Sequence, residues 1–246
     1  MTNFILTNLI TTALMITWPV LPAQDGPFEK ADRLFASRDN VSSLQQAVSM
    51  MEEATARDKT NYEAFWRMAK YRYYLADAEA DEPKKGRLIH SAIDAAKKAV
   101  ALDGSRVEGH FWLAAASGQL ADMKGGISAV GLVKTIRKEF EAALAIDPSY
   151  ENGASYLALG QIDLSLPRLL GGSERRGIAR LEEGLKTYGS NAELKLALAE
   201  VYEKKGRKDE ARKLLESILT TDDPARSANE IQDVRRKARA LADKMK

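Results

Sequence analysis

A repeat of about 45 residues runs through most of the sequence. Four segments of small and aliphatic residues end at a turn-forming position, namely at residues 58, 103, 147 and 188, so consecutive ends lie 45, 44 and 41 residues apart. A fifth segment ends at residue 222, another 34 residues along. In repeat architectures of this kind no single unit buries its apolar face alone, and neighbouring units stack into one continuous core. The repeat therefore constrains the fold more than any other feature.

The segments that follow the repeat ends align with one another as helices. Glu63–Ala69 matches Glu108–Ala114, and both segments run on to the same tripeptide, Leu-Ala-Asp, which ends at Asp77 and at Asp122. One face of the earlier segment carries apolar residues at the helical positions i, i+4, i+7 and i+11: Ala64, Met68, Tyr71 and Leu75. Helix formers such as alanine, leucine, lysine and glutamate dominate the composition. The pattern predicts an all-helical chain.

The last repeat carries the order of large, small and turn residues that is typical of a tetratricopeptide repeat (TPR). These residues are Leu198, Ala199, Tyr202, Gly206, Ala211, Leu215, Leu219 and Pro224. Small residues such as Ala143 and Ala211 let the two helices of a hairpin approach closely. We therefore predict one TPR-like α-solenoid of antiparallel hairpins over residues 24–246. The expected hairpins cover about 27–58, 61–103, 106–147, 151–188 and 191–222, and an amphipathic capping helix covers 226–245.

Three of the expected hairpins are longer than a standard TPR. The additional residues fall between the two helices, at 81–86, 125–131 and 166–173. Insertions at the same place in successive repeats emerge on one edge of a solenoid, which is often the binding edge. The sequence thus predicts three long loops on one edge of the array.

The N-terminal segment differs from the rest of the chain because its first 23 residues carry no charged side chain. The stretch is mostly apolar and ends in Leu21-Pro22-Ala23, which predicts a secretory signal cleaved after Ala23 and a periplasmic or secreted protein. The alternative is an uncleaved signal anchor, since about 20 apolar residues span a bilayer. The remainder has no second apolar run, so the mature form is expected to lack a membrane span. The chain has no cysteine, so no lipid anchor attached to cysteine is expected.

Side chains for catalysis or metal binding are sparse. The two histidines, His90 and His110, do not stand in a metal-ligand spacing, and cysteine ligands and thiolate nucleophiles are excluded. The sequence contains no phosphate-binding loop, dinucleotide fingerprint or nucleophile elbow. We therefore expect a binding protein without metal or cofactor. A hydrolase built on the array is the enzymatic alternative, and the lack of a nucleophile–base pair argues against it.

The charge distribution bears on the kind of partner. The formal net charge is only +2, and the basic residues near the C-terminus alternate with acidic ones such as Glu203, Asp209 and Asp233. Such alternation is typical of a solvated helix face rather than of a nucleic-acid-binding surface. No nucleic-acid partner is expected.

Several motifs in the middle of the chain resemble a known family. These motifs are the run Gly109–Ala114, Gly118, Gly125-Gly126, Val133–Ile136, Leu144–Tyr150, Leu166-Pro167 and Gly171-Gly172. Their order and spacing over about residues 60–222 resemble the TPR-containing T component of bacterial TRAP-transporter-associated systems. The resemblance implies a periplasmic helical protein that partners a TRAP-type solute-binding protein. It also implies hydrophobic cavities for a small apolar ligand, and self-association into a homo-oligomer. The alternative function is a general cell-envelope scaffold for protein–protein interactions, without a ligand.

A candidate ligand site follows from comparison of the second and third repeats. Trp66, Lys70 and Tyr73 share one face of a helix, away from the apolar core stripe. The equivalent residues of the next repeat are Phe111, Ala115 and Gly118. Bulky aromatic residues facing small ones leave space that a tightly packed interior would fill. We predict an apolar recess with one cationic group on its wall, suited to a small molecule. In the alternative, the small residues simply let two helices pack closely.

Overall fold

The computed structural model describes residues 26–220 and 226–245. These residues contain eleven α-helices, one short 3-10 helix (Arg168–Leu170) and no strand. In chain order the helices are α1 (Pro27–Ala36), α2 (Val41–Arg57), α3 (Tyr62–Asp77), α4 (Glu82–Leu102), α5 (Val107–Lys124), α6 (Gly126–Ile146), α7 (Tyr150–Ser165), α8 (Glu174–Thr187), α9 (Ala192–Lys204), α10 (Lys208–Thr220) and α11 (Ala228–Lys244). The predicted signal segment, residues 1–23, lies outside the described residues.

The helices form five antiparallel hairpins, α1–α2, α3–α4, α5–α6, α7–α8 and α9–α10, and α11 packs against the last of them. Successive first helices also touch one another, as in the pairs α3–α5, α5–α7 and α7–α9. This is the stacking of a TPR-like solenoid, and the predicted fold class is confirmed.

The aspartates at the repeat ends close the turns between hairpins. The Asp58 carboxylate accepts hydrogen bonds from the backbone N–H (2.8 Å) and the hydroxyl (2.7 Å) of Thr60. Asp103 and Asp147 do the same with the serines two residues further on. Asp and Asn side chains favour such turns because they replace a backbone hydrogen bond. The repeated aspartate is therefore a structural device that ends one hairpin and starts the next.

Two of the three predicted long loops are wrong. Residues 82–86 form the first turn of α4, where the Asp81 side chain accepts from the Lys84 N–H at 2.8 Å and Pro83 sits in the first turn, where it is tolerated. Residues 126–131 begin α6, and the junction with α5 is formed by Gly125 and Gly126, with φ values of 61° and 49°. The additional residues thus lengthen α4 and α6 to 21 residues each. Of the three predicted loops, only residues 166–173 form a long connection between two α-helices.

The core consists of two clusters of buried apolar side chains. The first extends from α1 to α7, and the second extends from α8 to α11. Helix α7 joins them, because Leu159 belongs to the first cluster while Leu157 and Leu164 pack against the second. The small residues Ala143 and Ala211 are fully buried, as expected for positions where helices meet.

Candidate functional site

A large cavity opens on the inner side of the array. Its volume is about 1220 Å³, and it is lined mainly by α3, α5, α6, α7 and α9, by α11, and by the turn between α1 and α2. TPR-type solenoids use the surface formed by their first helices for binding. Pockets for drug-sized molecules occupy about 300–1,000 Å³, so this cavity has room for a larger occupant. It is the candidate functional site.

The first hairpin and the last helix meet at one side of this cavity. The Arg38 guanidinium donates to both carboxylate oxygens of Glu230, from Nε at 3.1 Å and from Nη2 at 2.6 Å. The Asp39 carboxylate accepts from the Ser227 hydroxyl at 2.7 Å and from the Asn229 backbone N–H at 3.3 Å. These residues form what we call the closing contact. It joins positions about 190 residues apart, so the array curves into a ring around the cavity.

Glu230 holds this contact and also starts α11. Its side chain accepts from the Ser227 backbone N–H at 2.8 Å, and its own N–H donates to the Ser227 hydroxyl, which together form a capping box. Burial tends to raise the pKa of the Glu230 carboxyl. The hydrogen bonds from Arg38 and Ser227 outweigh burial and hold that pKa below its usual value. The carboxylate is therefore charged at neutral pH, as its pairing with Arg38 requires.

The cavity has an aromatic wall, formed by Tyr73 and Tyr74 of α3 and by Phe111 and Trp112 of α5. The rings of Tyr73 and Trp112 lie 5.5 Å apart between centroids, and those of Phe111 and Trp112 lie 4.9 Å apart, edge to face. The Trp112 Nε1–H donates to the Tyr150 hydroxyl at 2.8 Å, which fixes the orientation of the indole. Such pairs contribute specific geometry in addition to the burial of apolar surface.

Small residues of α5 leave the space that the aromatic rings border. Ala115 and Gly118 both line the cavity. A Cβ atom built on Gly118 would meet no other atom within 4 Å, apart from its own helix backbone and chain neighbours. Gly118 therefore faces open space and is not needed for a close approach of helices.

The structure brings together four of the six predicted site residues. Tyr73, Phe111, Ala115 and Gly118 line the cavity, and Trp66 and Lys70 do not. Lys70 pairs instead with Glu151 at 2.7 Å. Its ammonium lies 5.2 Å from the centre of the Trp112 ring, so Lys70 packs against the aromatic wall without lining the cavity. Whether the four lining residues bind a ligand stays a prediction.

Trp66 lies away from the predicted recess for a physical reason. Its indole Nε1–H donates to the Glu63 carboxylate at 2.9 Å, and the Arg67 guanidinium stacks on its ring at 4.2 Å. Side chains on a helix lean toward the N-terminus, and Glu63 lies one turn earlier, where it offers an acceptor for the indole N–H. The helical spacing alone did not reveal this acceptor.

The backbone of the first turn of helix α7, beside the cavity, is strained. Glu151, Asn152 and Gly153 have φ values of 48°, 55° and 76°, a left-handed conformation that costs energy for residues other than glycine. Two polar contacts hold this turn: the Glu151–Lys70 pair and a hydrogen bond from the Asn191 side chain to the Asn152 carbonyl at 2.9 Å. The turn places the Glu151 side chain at the cavity.

The sequence reasoning missed several lining residues. Tyr74 and its equivalent in the next repeat, Gln119, both line the cavity, as do Asp77 and its equivalent Asp122. The repeated Leu-Ala-Asp ending was a signal for this face, which runs along the C-terminal halves of α3 and α5. The lining residues of α11 have no such signal, since they approach the cavity only because the array closes on itself.

Over residues 26–220 and 226–245, no three His, Asp or Glu side chains lie together as a metal site would require. No helix in that part of the chain is both long and apolar enough to span a bilayer.

Two family profiles match this chain. The profile described as "Regulator of microtubule dynamics protein 1-3" matches residues 28–161, more than half of the 246 residues. The chain belongs to this family. A tetratricopeptide-repeat profile matches residues 172–229. The first match thus covers α1 to most of α7, and the second covers α8 to the start of α11, in close agreement with the two core clusters.

A curated member of the regulator of microtubule dynamics family is similar over half of this chain. The regulator of microtubule dynamics protein 1 of Bos taurus is 26% identical over 121 residues. The aligned segment covers 49% of this chain and 36% of the bovine protein. The shared part is therefore a minor portion of that relative.

Solved structures share the fold of this family member at low sequence identity. The thermophilic TPR protein TTC0263 of Thermus thermophilus has a TM-score of 0.63 at 22% identity, covering 88% of this chain and 97% of that chain. The type IV pilus biogenesis factor PilW has a TM-score of 0.54 at 15% identity, covering 89% and 91%. The chain is a TPR-type helical array, an architecture that serves as a scaffold for protein–protein interactions.

Proposed function

We propose that this protein is a non-catalytic scaffold that holds an apolar segment of a partner protein in its cavity. The observation that carries the proposal is the open space at Gly118, on the same helix as Phe111 and Trp112 of the aromatic wall. A well-packed interior would fill such a space. Large aromatic side chains dominate the energetics of interfaces, and this wall is the apolar part of a lining that elsewhere carries many charged residues.

The resemblance to TRAP-associated T components supports one specific partner. We propose a TRAP-type solute-binding protein as that partner and the periplasm as the compartment, with a small apolar ligand as an additional occupant of the cavity. The uncharged apolar segment before Gln24 supports export. Cell fractionation, followed by N-terminal sequencing near Gln24, tests the compartment. Purified solute-binding protein, mixed with this chain, tests the partnership.

Membership in the regulator of microtubule dynamics family supports a second candidate partner. The family match covers the helices that form most of the cavity lining, α3, α5, α6 and α7. On that basis we propose polymerised tubulin as the alternative. Co-sedimentation with stabilised microtubules separates this candidate from the first, because each partner is assayed in purified form.

Blocking the cavity tests the function itself. Gly118→Phe should fill the open space without strain, because Gly118 lies within α5 and a Cβ there meets no neighbour. Replacement of a mid-helix glycine also favours the helix by a few tenths of a kcal/mol. We expect this variant to fold and to bind the apolar dye N-phenyl-1-naphthylamine, and the partner, at least about tenfold more weakly than the unmodified chain.

Gly131→Phe is the matched control. Gly131 also lies within a helix, α6, and has open space for a Cβ, but it does not line the cavity. The control should bind the dye and the partner as the unmodified chain does. Unchanged binding by Gly118→Phe would contradict a role for the cavity and leave a scaffold that binds through another surface.

A further inference from the structure

We infer that the protein docks on an anionic lipid bilayer through the connection between α7 and α8. In this contact Leu169 and Leu170 enter the headgroup region of the bilayer, and the arginine and lysine side chains around them bind the lipid phosphates. Neither leucine lines the cavity. The docking surface is therefore separate from the cavity and goes beyond the proposed function.

The tip of this connection exposes two large apolar side chains. Leu169 is 98% exposed and Leu170 is 46% exposed, and both belong to the short 3-10 helix. Leucine side chains are usually buried in a folded protein, and single exposed ones need no explanation. Two adjacent leucines at a protruding tip form an apolar patch, and such patches mark sites of contact with a membrane or another protein.

The structure holds this tip in a fixed conformation. The Gly171 N–H donates to the Arg168 carbonyl at 3.1 Å, and the Gly171 carbonyl accepts from the Arg176 guanidinium at 2.6 Å. Arg176 also pairs with the fully buried Asp163, which fastens the connection to α7. A loose loop could fold its leucines back onto the protein, whereas this connection keeps them in solvent. Their exposure is therefore a property of the fold.

Basic side chains surround the two leucines. Lys205 of the α9–α10 turn pairs with Glu174 at the start of α8, so that turn lies beside the connection. Residues 165–176 and 203–210 together contain seven basic and four acidic residues, whereas the whole chain has a net charge of only +2. Lipid phosphates attract such groups, and arginine binds phosphate especially well. Within the described chain, four exposed basic side chains of these two segments make no ion pair: Arg168, Arg175, Lys204 and Lys208.

Charge and shape together favour a bilayer and set its orientation. The α3–α4 turn leaves the array on the same edge, but residues 77–86 contain four acidic and two basic residues. An anionic surface repels that turn, so the protein docks tilted, with the α7–α8 connection and the α9–α10 turn toward the lipid. The interface of a bilayer accepts a protruding apolar tip surrounded by cations, whereas a protein partner would need a pocket of matching shape.

Vesicle binding tests the contact directly. The full chain is sedimented with vesicles of phosphatidylcholine and phosphatidylglycerol in equal parts, and with vesicles of phosphatidylcholine alone. We expect at least about tenfold tighter binding to the anionic vesicles, and the difference should shrink with added salt. Leu169→Ser/Leu170→Ser and Arg168→Ser/Arg175→Ser should each weaken this binding at least about tenfold, because one removes the apolar insertion and the other removes two cations.

Two control variants separate the tip from general charge and from the cavity. Arg57→Ser/Lys59→Ser removes the same charge from exposed positions at the α2–α3 turn, on the opposite edge of the array. This variant and Gly118→Phe should bind the vesicles as the unmodified chain does. All variants carry the same N-terminal segment, so any affinity of that segment for lipid cancels in the comparison. An equal loss in either control, or no loss in the two tip variants, overturns the inference.

A tryptophan at the tip reports insertion. The emission of Leu169→Trp should shift to shorter wavelength with anionic vesicles and be quenched by brominated lipid. Ile146→Trp is the matched control, since Ile146 is 40% exposed and ends α6 at the opposite edge. It should show neither change, and equal changes in both variants overturn the insertion. Self-association without lipid that Leu169→Ser/Leu170→Ser abolishes, together with no vesicle binding, overturns the bilayer and assigns the tip to a second copy of the chain.

Discussion

Asp163→Ala should lower the free energy of unfolding by about 3–5 kcal/mol, because the substitution removes one partner of a buried ion pair and leaves the other charges unpaired. The Asp163 side chain is fully buried, and three arginines surround it. Arg137 and Arg176 approach its Oδ1 at 2.6 Å, and Arg180 approaches its Oδ2 at 3.2 Å. Without the carboxylate, the positive charges of the three arginines remain close together around the space that the Asp163 side chain had filled.

The same cluster holds the long connection between α7 and α8. Arg176 also donates to the Gly171 carbonyl at 2.6 Å, and the Ser173 backbone N–H donates to the Asp163 carbonyl at 2.8 Å. We therefore expect the variant to loosen residues 166–173 as well as to lose stability. Urea unfolding followed by circular dichroism measures the stability, and limited proteolysis locates the loosened segment.

Asp209→Ala is the matched control for this experiment. Asp209 also pairs with an arginine, Arg212, at 3.1 Å, but its side chain is 90% exposed. Exposed ion pairs contribute at most about 1 kcal/mol. Equal losses in the two variants would show that the Asp163 cluster is no stronger than a surface pair.

The contribution of Asp163 should also depend on pH. Burial tends to raise the pKa of its carboxyl, but hydrogen bonds from Arg176 and Arg137 and their positive charges hold it below the usual value. A lowered folded-state pKa gives stability that is present above the unfolded pKa, about 3.9, and lost as the pH falls through the folded value. The difference in stability between the unmodified chain and Asp163→Asn should therefore be constant near neutral pH and shrink below about pH 4.

Trp112→Ala is the second substitution with a large expected effect. Trp112 is only 2% exposed, packs against Phe111 and Tyr73, and donates to the Tyr150 hydroxyl. Removal of a buried tryptophan should cost about 3–5 kcal/mol, measured by urea unfolding. It would also remove the centre of the aromatic wall, so binding of N-phenyl-1-naphthylamine should weaken in the fraction that stays folded.

A second tryptophan, Trp66, provides the control for the Trp112→Ala experiment. Trp66 is partly buried and lies outside the cavity lining. Trp66→Ala should cost less, about 1–2 kcal/mol, and should leave dye binding unchanged. A loss of binding in this variant, with binding retained in Trp112→Ala, would restore the originally predicted recess around Trp66 and contradict the site described above.

Local patterns in the sequence were sufficient for the helices and for part of the site. The stripe that includes Ala64, Met68 and Tyr71 is buried as predicted, because a helix with a 3.6-residue period must turn such a stripe toward its neighbours. Repeat alignment related Phe111, Ala115 and Gly118 to residues of α3, and all three line the cavity. Of their equivalents in α3, only Tyr73 does so.

Those local patterns could not predict contacts between residues that are distant in the sequence, or which partner a charged side chain would choose. Lys70 was expected to be a free cation on the wall, but Glu151, 81 residues away, neutralises it from a left-handed turn that no periodicity indicates. Residues 126–131 contain two glycines and were expected to loop out, yet the flanking apolar residues continue the helix. For Lys70, a tertiary contact rather than the helical period decides the partner of the side chain.

The closing contact has a consequence for how such an array comes apart. In an open stack of repeats each unit touches only its neighbours, so the terminal units fray first and unfolding spreads inward. Here Arg38 and Asp39 hold Glu230 and Ser227, so each terminal unit has a second neighbour. Unfolding of either terminal unit therefore breaks two interfaces instead of one. One of these two, the closing contact, is shared by both terminal units. Over the described residues the helical units thus form a circle, and we expect the two terminal units to unfold together rather than one after the other.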